Sequence, residues 1–234
     1  MSLVMPRIFR ASELGTSSRP LRCLVYGDSG IGKTTMLATL PKPLLVIDFE
    51  GGSDIRLINQ DNVFIAPVYS RQELSSLLEY IKGIIEDNSI DFKSIAFDGF
   101  SVFIQQCLRE ILSENNKNTP TFKEWQILTS YIKSVILGLI NYTTHTVFTA
   151  LSKKKITQDK EERMNWIGPD LPKSIREYLR AICDLEGYIY RSDKGNTLIA
   201  FNSQQQIVEL KDRSGKLGKL EEPDFEKIFS KIFV

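Results

Sequence analysis

Histidine is almost missing from this chain: a single copy, His145, stands in 234 residues. It has no partner at ligand spacing, so it reads as a strand-edge residue rather than a catalyst. Cysteine is nearly as scarce. Cys23, Cys107 and Cys183 lie in apolar surroundings without metal-ligand spacing, and they read as reduced core residues of a cytoplasmic protein. No apolar run approaches the length needed to cross a bilayer, and the N-terminus lacks a signal-peptide core. Charge of one sign is not in excess either. Thirty Lys and Arg against 29 Asp and Glu leave a net charge of +1. That excludes a global basic footprint, so any nucleic-acid site must be local. Internal repeats and low-complexity segments are absent too, and the length suits one large α/β domain with little left over.

What is present is concentrated near the start. Gly27-Asp28-Ser29-Gly30-Ile31-Gly32-Lys33-Thr34 fits G-x-x-x-x-G-K-[ST], a pattern with mechanical meaning only between a strand and a helix. Residues 21–26 form an apolar run that predicts a buried strand, and residues 33–40 predict a helix stopped by Pro41. Glycines let such a loop wrap closely around phosphate, and the N–H groups of the loop and helix start are donors for an anion. In that setting Lys33 reaches the β and γ phosphates and the Thr34 hydroxyl holds Mg²⁺. The motif implies binding of a nucleoside triphosphate, ATP by default.

Further along, buried strands alternate with amphipathic helices. Strands are predicted at 44–50, 63–65, 94–98 and 146–150. A helix opens at the Ser70-x-x-Glu73 capping box, and others span about 100–113 and 121–142. Trp125 and Tyr131 fall on a helical face and read as core. Such alternation marks a parallel sheet covered on both faces. From about 184 the pattern changes to short strands at 185–190, 197–201 and 206–210, joined by turns such as 192–196. That predicts an antiparallel extension of the sheet, closed by a small helix at 223–233.

A phosphate loop needs a carboxylate at the end of a neighbouring buried strand to hold the hydration shell of Mg²⁺. Asp98, after four strand residues and before Gly99, has that setting; the same position also suits a helix N-cap. Hydrolysis needs a group that orients the attacking water. Glu50 ends a strand expected beside that of Asp98, and the carboxyl ends of parallel strands converge on the ligand crevice. Asp48 is its rival, and a solvated loop acid before Gly51-Gly52 is the plainer reading of Glu50.

In their order the parts resemble the core of RecA-like recombinase ATPases: phosphate loop, a strand ending Asp48-Phe49-Glu50, a helix, then a strand ending in Asp98. The chain is most similar to short phage-encoded, RecA-related nucleotide-binding proteins of the single-strand-annealing type. Gly168-Pro169-Asp170-Leu171-Pro172, Cys183-Asp184-Leu185 and Lys211-Asp212-Arg213-Ser214-Gly215-Lys216 share in the likeness, which covers roughly residues 20–216. It implies a P-loop NTPase of RecA-like α/β fold, with a short segment at 1–20, an ATPase core at 21–216 and a tail with a short helix at 217–234. Residues 27–34 hold ATP on this analogy, with Thr35 near the α phosphate. Asp98 is then the Mg²⁺-associated acid and Glu50 the base. Lys211 and Arg213 would reach a neighbour's γ phosphate in a homo-oligomeric ring or filament. By position alone they are two surface charges at a strand end. The family's polar sensor falls at Leu151 here, a departure for which Thr149 or Ser152 can substitute.

In RecA-like proteins a basic loop with an aromatic follows the sensor strand and binds single strands. Here Lys153, Lys154 and Lys155 are followed by Lys160, Arg163 and Trp166. These types neutralise phosphates and stack on bases, although Asp159, Glu161 and Glu162 dilute the charge and a solvated surface loop fits equally. Residues 113–122, with Lys117 and Phe122, are a weaker candidate. Residues Ile8 and Phe9 form a short apolar stretch that docks on a neighbouring subunit or on its own domain. The resulting expectation is an ATPase that binds or anneals single-stranded DNA in phage-type recombination. Its rivals are an ATP-dependent switch with a protein partner, and a small-molecule kinase, against which stands the lack of an arginine-rich lid.

Overall fold

The computed structural model describes residues 19–57, 60–87, 89–140, 144–158, 163–202 and 208–233. The chain runs β1 (Arg22–Gly27), α1 (Lys33–Leu37), β2 (Leu44–Asp48), α2 (Ser53–Leu57), β3 (Val63–Pro67), α3 (Arg71–Glu86), β4 (Ser94–Asp98) and α4 (Phe100–Glu114). It continues through α5 (Phe122–Ile140), β5 (His145–Gln158), β6 (Arg163–Pro169), α6 (Lys173–Ile182), β7 (Leu185–Arg191), β8 (Thr197–Ala200), β9 (Lys211–Asp212) and α7 (Phe225–Phe233).

One nine-stranded sheet organises these elements, in the order β3-β2-β4-β5-β1-β7-β8, with β6 paired to β5 and β9 to β7. Every neighbour from β3 to β7 is parallel. The pairs β5/β6, β7/β8 and β7/β9 are antiparallel. The mostly parallel sheet with a C-terminal antiparallel extension is the architecture that the alternating pattern predicts.

Both faces are buried, and the period of two divides each strand between them. Leu24, Tyr26, Leu45, Ile47, Ile95 and Phe97 pack toward α3, α4, α5 and α6. Their neighbours Cys23, Val25, Leu44, Val46 and Ala96 face Met36, Leu37 and Leu40 from the other side, together with Phe225, Ile228, Phe229 and Ile232 of α7. The tail is thus built into the core: Phe225 donates its N–H to Thr39 Oγ1 at 2.8 Å, and Ile199 and Glu221 exchange backbone hydrogen bonds. All three cysteines are buried thiols.

Several expected boundaries move. The helix after the phosphate loop ends at Leu37 and finishes in turns to Leu40. Ser70 and Glu73 cap α3 as predicted, Glu73 N–H donating to Ser70 Oγ at 3.1 Å, but the Glu73 carboxylate takes the N–H of Tyr69. Trp125 is a correction: at 37% exposure it lies at the surface of α5, because the buried stripe of that helix runs through Leu128, Ile132, Val135 and Ile136. Tyr131 packs partly into that core. His145 opens β5, accepts the N–H of Leu21 on Nδ1 at 3.1 Å and stacks on Phe229. The stretch around Ile8 and residues 206–207 of the expected strand 206–210 lie outside the described residues; of the rest, Val208 makes only an isolated bridge to Ile167. No helix of the described residues is long and apolar enough to cross a membrane.

Candidate active site

The C-terminal ends of β1, β2 and β4 meet at one cleft of about 470 Å³, shared by residues 29–36 with Asp48, Glu50, Ser53 and Asp98. From Gly27 the chain turns through Gly30 and Gly32, at φ 71° and 109°, before α1 begins. The Lys33 ammonium lies inside this loop, donating to the carbonyls of Gly27 at 3.0 Å and Asp28 at 2.8 Å. Burial pulls its pKa down, while Glu50, Asp98 and Asp28 pull it up. Asp28, Ser29, Gly30 and Thr35 are exposed, whereas Ile31, Gly32 and Thr34 are half-buried.

Asp98 sits at the centre of a hydroxyl network. Its Oδ2 accepts from Thr34 Oγ1 at 2.6 Å and from Ser53 Oγ at 2.9 Å, and its Oδ1 accepts from Thr149 Oγ1 at 2.6 Å. Thr149 Oγ1 in turn takes the N–H of Gly99 at 2.9 Å. The helix-cap alternative for Asp98 fails, because Gly99 occupies the N-cap of α4 without any side-chain cap.

The choice between Asp48 and Glu50 is also geometric. Asp48 is buried and saturated by backbone: its Oδ1 takes the N–H of Glu50 at 3.0 Å and of Gly51 at 2.9 Å, and its Oδ2 that of Ser53 at 2.9 Å. These bonds shape the turn into α2 and leave Glu50 facing outward. The Glu50 side chain lies across Gly99, where a Cβ would come within 2.4 Å of its Cγ. Desolvation and the nearby Asp98 carboxylate raise the Glu50 pKa, against the opposing pull of Lys33.

Both residues named as substitutes for the sensor lie near the cleft. Thr149 bonds Asp98, and the Ser152 hydroxyl bonds the Asp28 carboxylate in the phosphate loop, while Leu151 N–H donates to Ser101 Oγ at 3.0 Å. Beyond Ser152 the expected loop is instead a hairpin. β5 runs on to Gln158 and pairs with β6 from Ser152↔Pro169 to Gln158↔Arg163. The Lys153-Lys154-Lys155 run of β5 is exposed and carries no apolar alternation, whereas Ile167 of β6 packs on the core.

Lys153, Lys154 and Lys155 are exposed on this hairpin. Lys153 reaches Asp170 at 2.9 Å and Lys154 reaches Asp28 at 3.7 Å. Trp166 departs from the expected free stacking ring. It is half-buried, covers Gly168, holds the Arg176 guanidinium 4.7 Å from its centroid, and donates Nε1–H to Glu209 at 3.3 Å. Lys160 and the Arg163 side chain lie outside the described residues. In the weaker candidate loop, Lys117 pairs with the buried Glu124 at 2.8 Å, and Phe122 is exposed.

Lys211 and Arg213 lie at the other end of the sheet. Arg213 pairs with Asp184 at 2.8 Å and donates to Ala181 O at 3.1 Å, and Lys211 donates to Arg180 O at 2.5 Å. β7 enters register with β1 at Leu185 and reaches Gly27 at Ile189, so the two cations stand roughly 13 Å from the phosphate loop along the strand direction. The cleft itself is completed by residues that spacing does not reveal: Ser53, Arg56, Arg191, Thr197 and Pro223.

The donor set fits a magnesium nucleotide. Thr34 Oγ1 and Asp98 present hard oxygen ligands in contact with each other, and no group of three His, Cys, Asp or Glu among the described residues is arranged to hold a metal ion. Mg²⁺ is bound in that way, by one or two protein oxygens with phosphate and water completing the octahedron. Parallel α/β architecture and this loop together define the P-loop nucleotide-binding class. Within it, the chain belongs to the AAA domain family, whose model matches residues 19–219. No curated protein matches the chain.

Proposed function

We propose that the chain binds ATP with Mg²⁺ and hydrolyses it in the cleft between residues 27–36 and the strand-end acids. The observation behind this reading is the 2.6 Å bond from Thr34 to Asp98 beside an outward-facing Glu50. Loop N–H groups and Lys33 hold the β and γ phosphates, and Thr34 with Asp98 holds Mg²⁺, which would neutralise charge on the phosphates when bound. Glu50 takes a proton from the attacking water, and its raised pKa suits a base. Asp48, committed to three backbone N–H groups, shapes the loop that presents Glu50. In Glu50→Gln, nucleotide affinity should stay within about twofold while turnover falls by about 10²–10³, the usual worth of a positioned base. Lys33→Ala should lose both. Wild-type turnover in Glu50→Gln would reassign the base.

The finer reading follows the RecA-like resemblance: the ATP cycle serves binding or annealing of single-stranded DNA, as in phage-type recombination. Its support is local. Three consecutive exposed lysines stand on a hairpin that continues the strand beside the phosphate loop, and Lys154 is paired with Asp28 of that loop. A titration with single-stranded oligonucleotide, with and without a non-hydrolysable ATP analogue, tests it. DNA binding requires affinity that falls as salt rises and weakens in K153A/K154A/K155A. Salt-independent or undetectable binding favours a protein-directed switch instead. The intersubunit role for Lys211 and Arg213 belongs to a homo-oligomer, in which both would have to leave Asp184 and the α6 carbonyls.

A further inference from the structure

We infer that Arg56 and Arg191 are in-chain cations for the nucleotide's phosphates, Arg56 at the terminal phosphate and Arg191 on the opposite flank. This rests on the proposal that the cleft hydrolyses ATP, but assigns the positive charge of that reaction to the same chain rather than to a neighbour.

The charge balance of the cleft favours such groups. Asp48, Glu50 and Asp98 line it against Lys33, and magnesium-bound ATP brings about two further negative charges. Backbone N–H groups and hydroxyls satisfy Asp48 and Asp98, but hydrogen bonds from neutral donors do not cancel charge that builds during phosphoryl transfer. Two more cations line the same cleft, Arg56 and Arg191. Both are exposed, and neither guanidinium has a hydrogen-bond or ion-pair partner among the described residues. Lys211 and Arg213 are engaged at the far end of the sheet.

Topology separates the two roles. In the sheet β4 and β2 lie to one side of β1 and β7 to the other. Arg56 belongs to α2, whose first residue, Ser53, donates to Asp48 through its N–H and to Asp98 through Oγ. Ser53 is therefore anchored where Thr34 and Asp98 meet, and Arg56 follows three residues on in the same helix. Arg191 ends β7, two residues beyond the Gly27↔Ile189 pair, and shares its flank with Thr197 of β8. A guanidinium fork matches phosphate oxygens better than an ammonium does.

The test uses the full chain, diluted until sedimentation shows single molecules. Wild-type turnover per chain is expected to stay constant across that dilution. R56A should lower kcat by about 10³-fold, the scale of an arginine acting on developing phosphoryl charge, while affinity for ADP stays within about twofold. R56K should restore only part of the rate. R191A should weaken binding of ADP and ATP together by about tenfold, the scale of one lost charge-assisted contact. Both side chains are exposed, so neither change opens the core. Wild-type kcat in R56A, or turnover that vanishes on dilution to single chains, overturns the inference. Protein that binds ADP yet hydrolyses no ATP refutes the hydrolysis reading instead; full ADP affinity in R191A would then overturn this inference as well.

Discussion

Gly99 shows how one residue sets the geometry of two acids. It follows Asp98 directly, holds φ at 82°, and gives its N–H to the Thr149 hydroxyl that also binds Asp98. A Cβ there would stand 2.4 Å from Glu50 Cγ and 2.9 Å from its Oε1, so alanine must push Glu50 away from the cleft. Gly195 has the same φ of 82° in the β7–β8 turn with open space around it, which makes it the natural control. G99A and G195A should each lose about 1–2 kcal/mol of stability from the left-handed dihedral. Only G99A should also lose turnover, by about 10–10²-fold, since about 1 Å of misplacement at a reacting group can cost up to about 10²-fold. Parallel urea titrations and ATPase assays separate the two. Equal activity in both variants would mean that the position of Glu50 against Gly99 is unimportant to the chemistry.

At the scale of elements, what the sequence made legible was whatever burial or local chemistry dictates. The strand–loop–helix around 27–34 is encoded by contiguous apolar residues and glycines, and Asp98 by an unbroken apolar strand ending in an acid. Burial on both faces makes such strands continuous in hydrophobicity. The hairpin of β5 and β6 was not legible, because Lys153, Lys154 and Lys155 give no apolar alternation and its pairing is a property of the backbone. Ser53 and Arg191 were hidden for another reason. Ser53 meets Asp98 across 45 positions of sequence, and Arg191 reaches the cleft only because β7 docks beside β1. Neither juxtaposition has a local periodic signature. Trp166 marks the opposite error: its type suggested a free ring, but Arg176 and Glu209 hold it.

At the scale of the whole molecule, Glu186 is a carboxyl group that is costly to bury. It lies inside β7, fully enclosed, and neither carboxylate oxygen has a hydrogen-bond partner among the described residues. Desolvation lifts its pKa from 4.5 to about 7; Arg180, whose Nε is 3.6 Å away, pulls it down, Glu209 pushes it up, and Lys211 and Arg176 pull it down. A raised acid binds its proton more tightly in the native state than in the unfolded chain. Between pH 4.5 and about 7 the native state therefore holds more protons, and stability falls as pH rises through that window, then levels off. A lift of this size corresponds to roughly 3 kcal/mol. Glu186→Gln removes the titration, so the wild-type stability minus that of the variant should drop by an amount of that order from pH 4.5 to 7.5 and be flat above. Urea denaturation of both proteins across the range reads this difference directly. A difference independent of pH would show that Glu186 stays ionised throughout, with Arg180 neutralising it fully, and that β7 bears no protonated acid near its start.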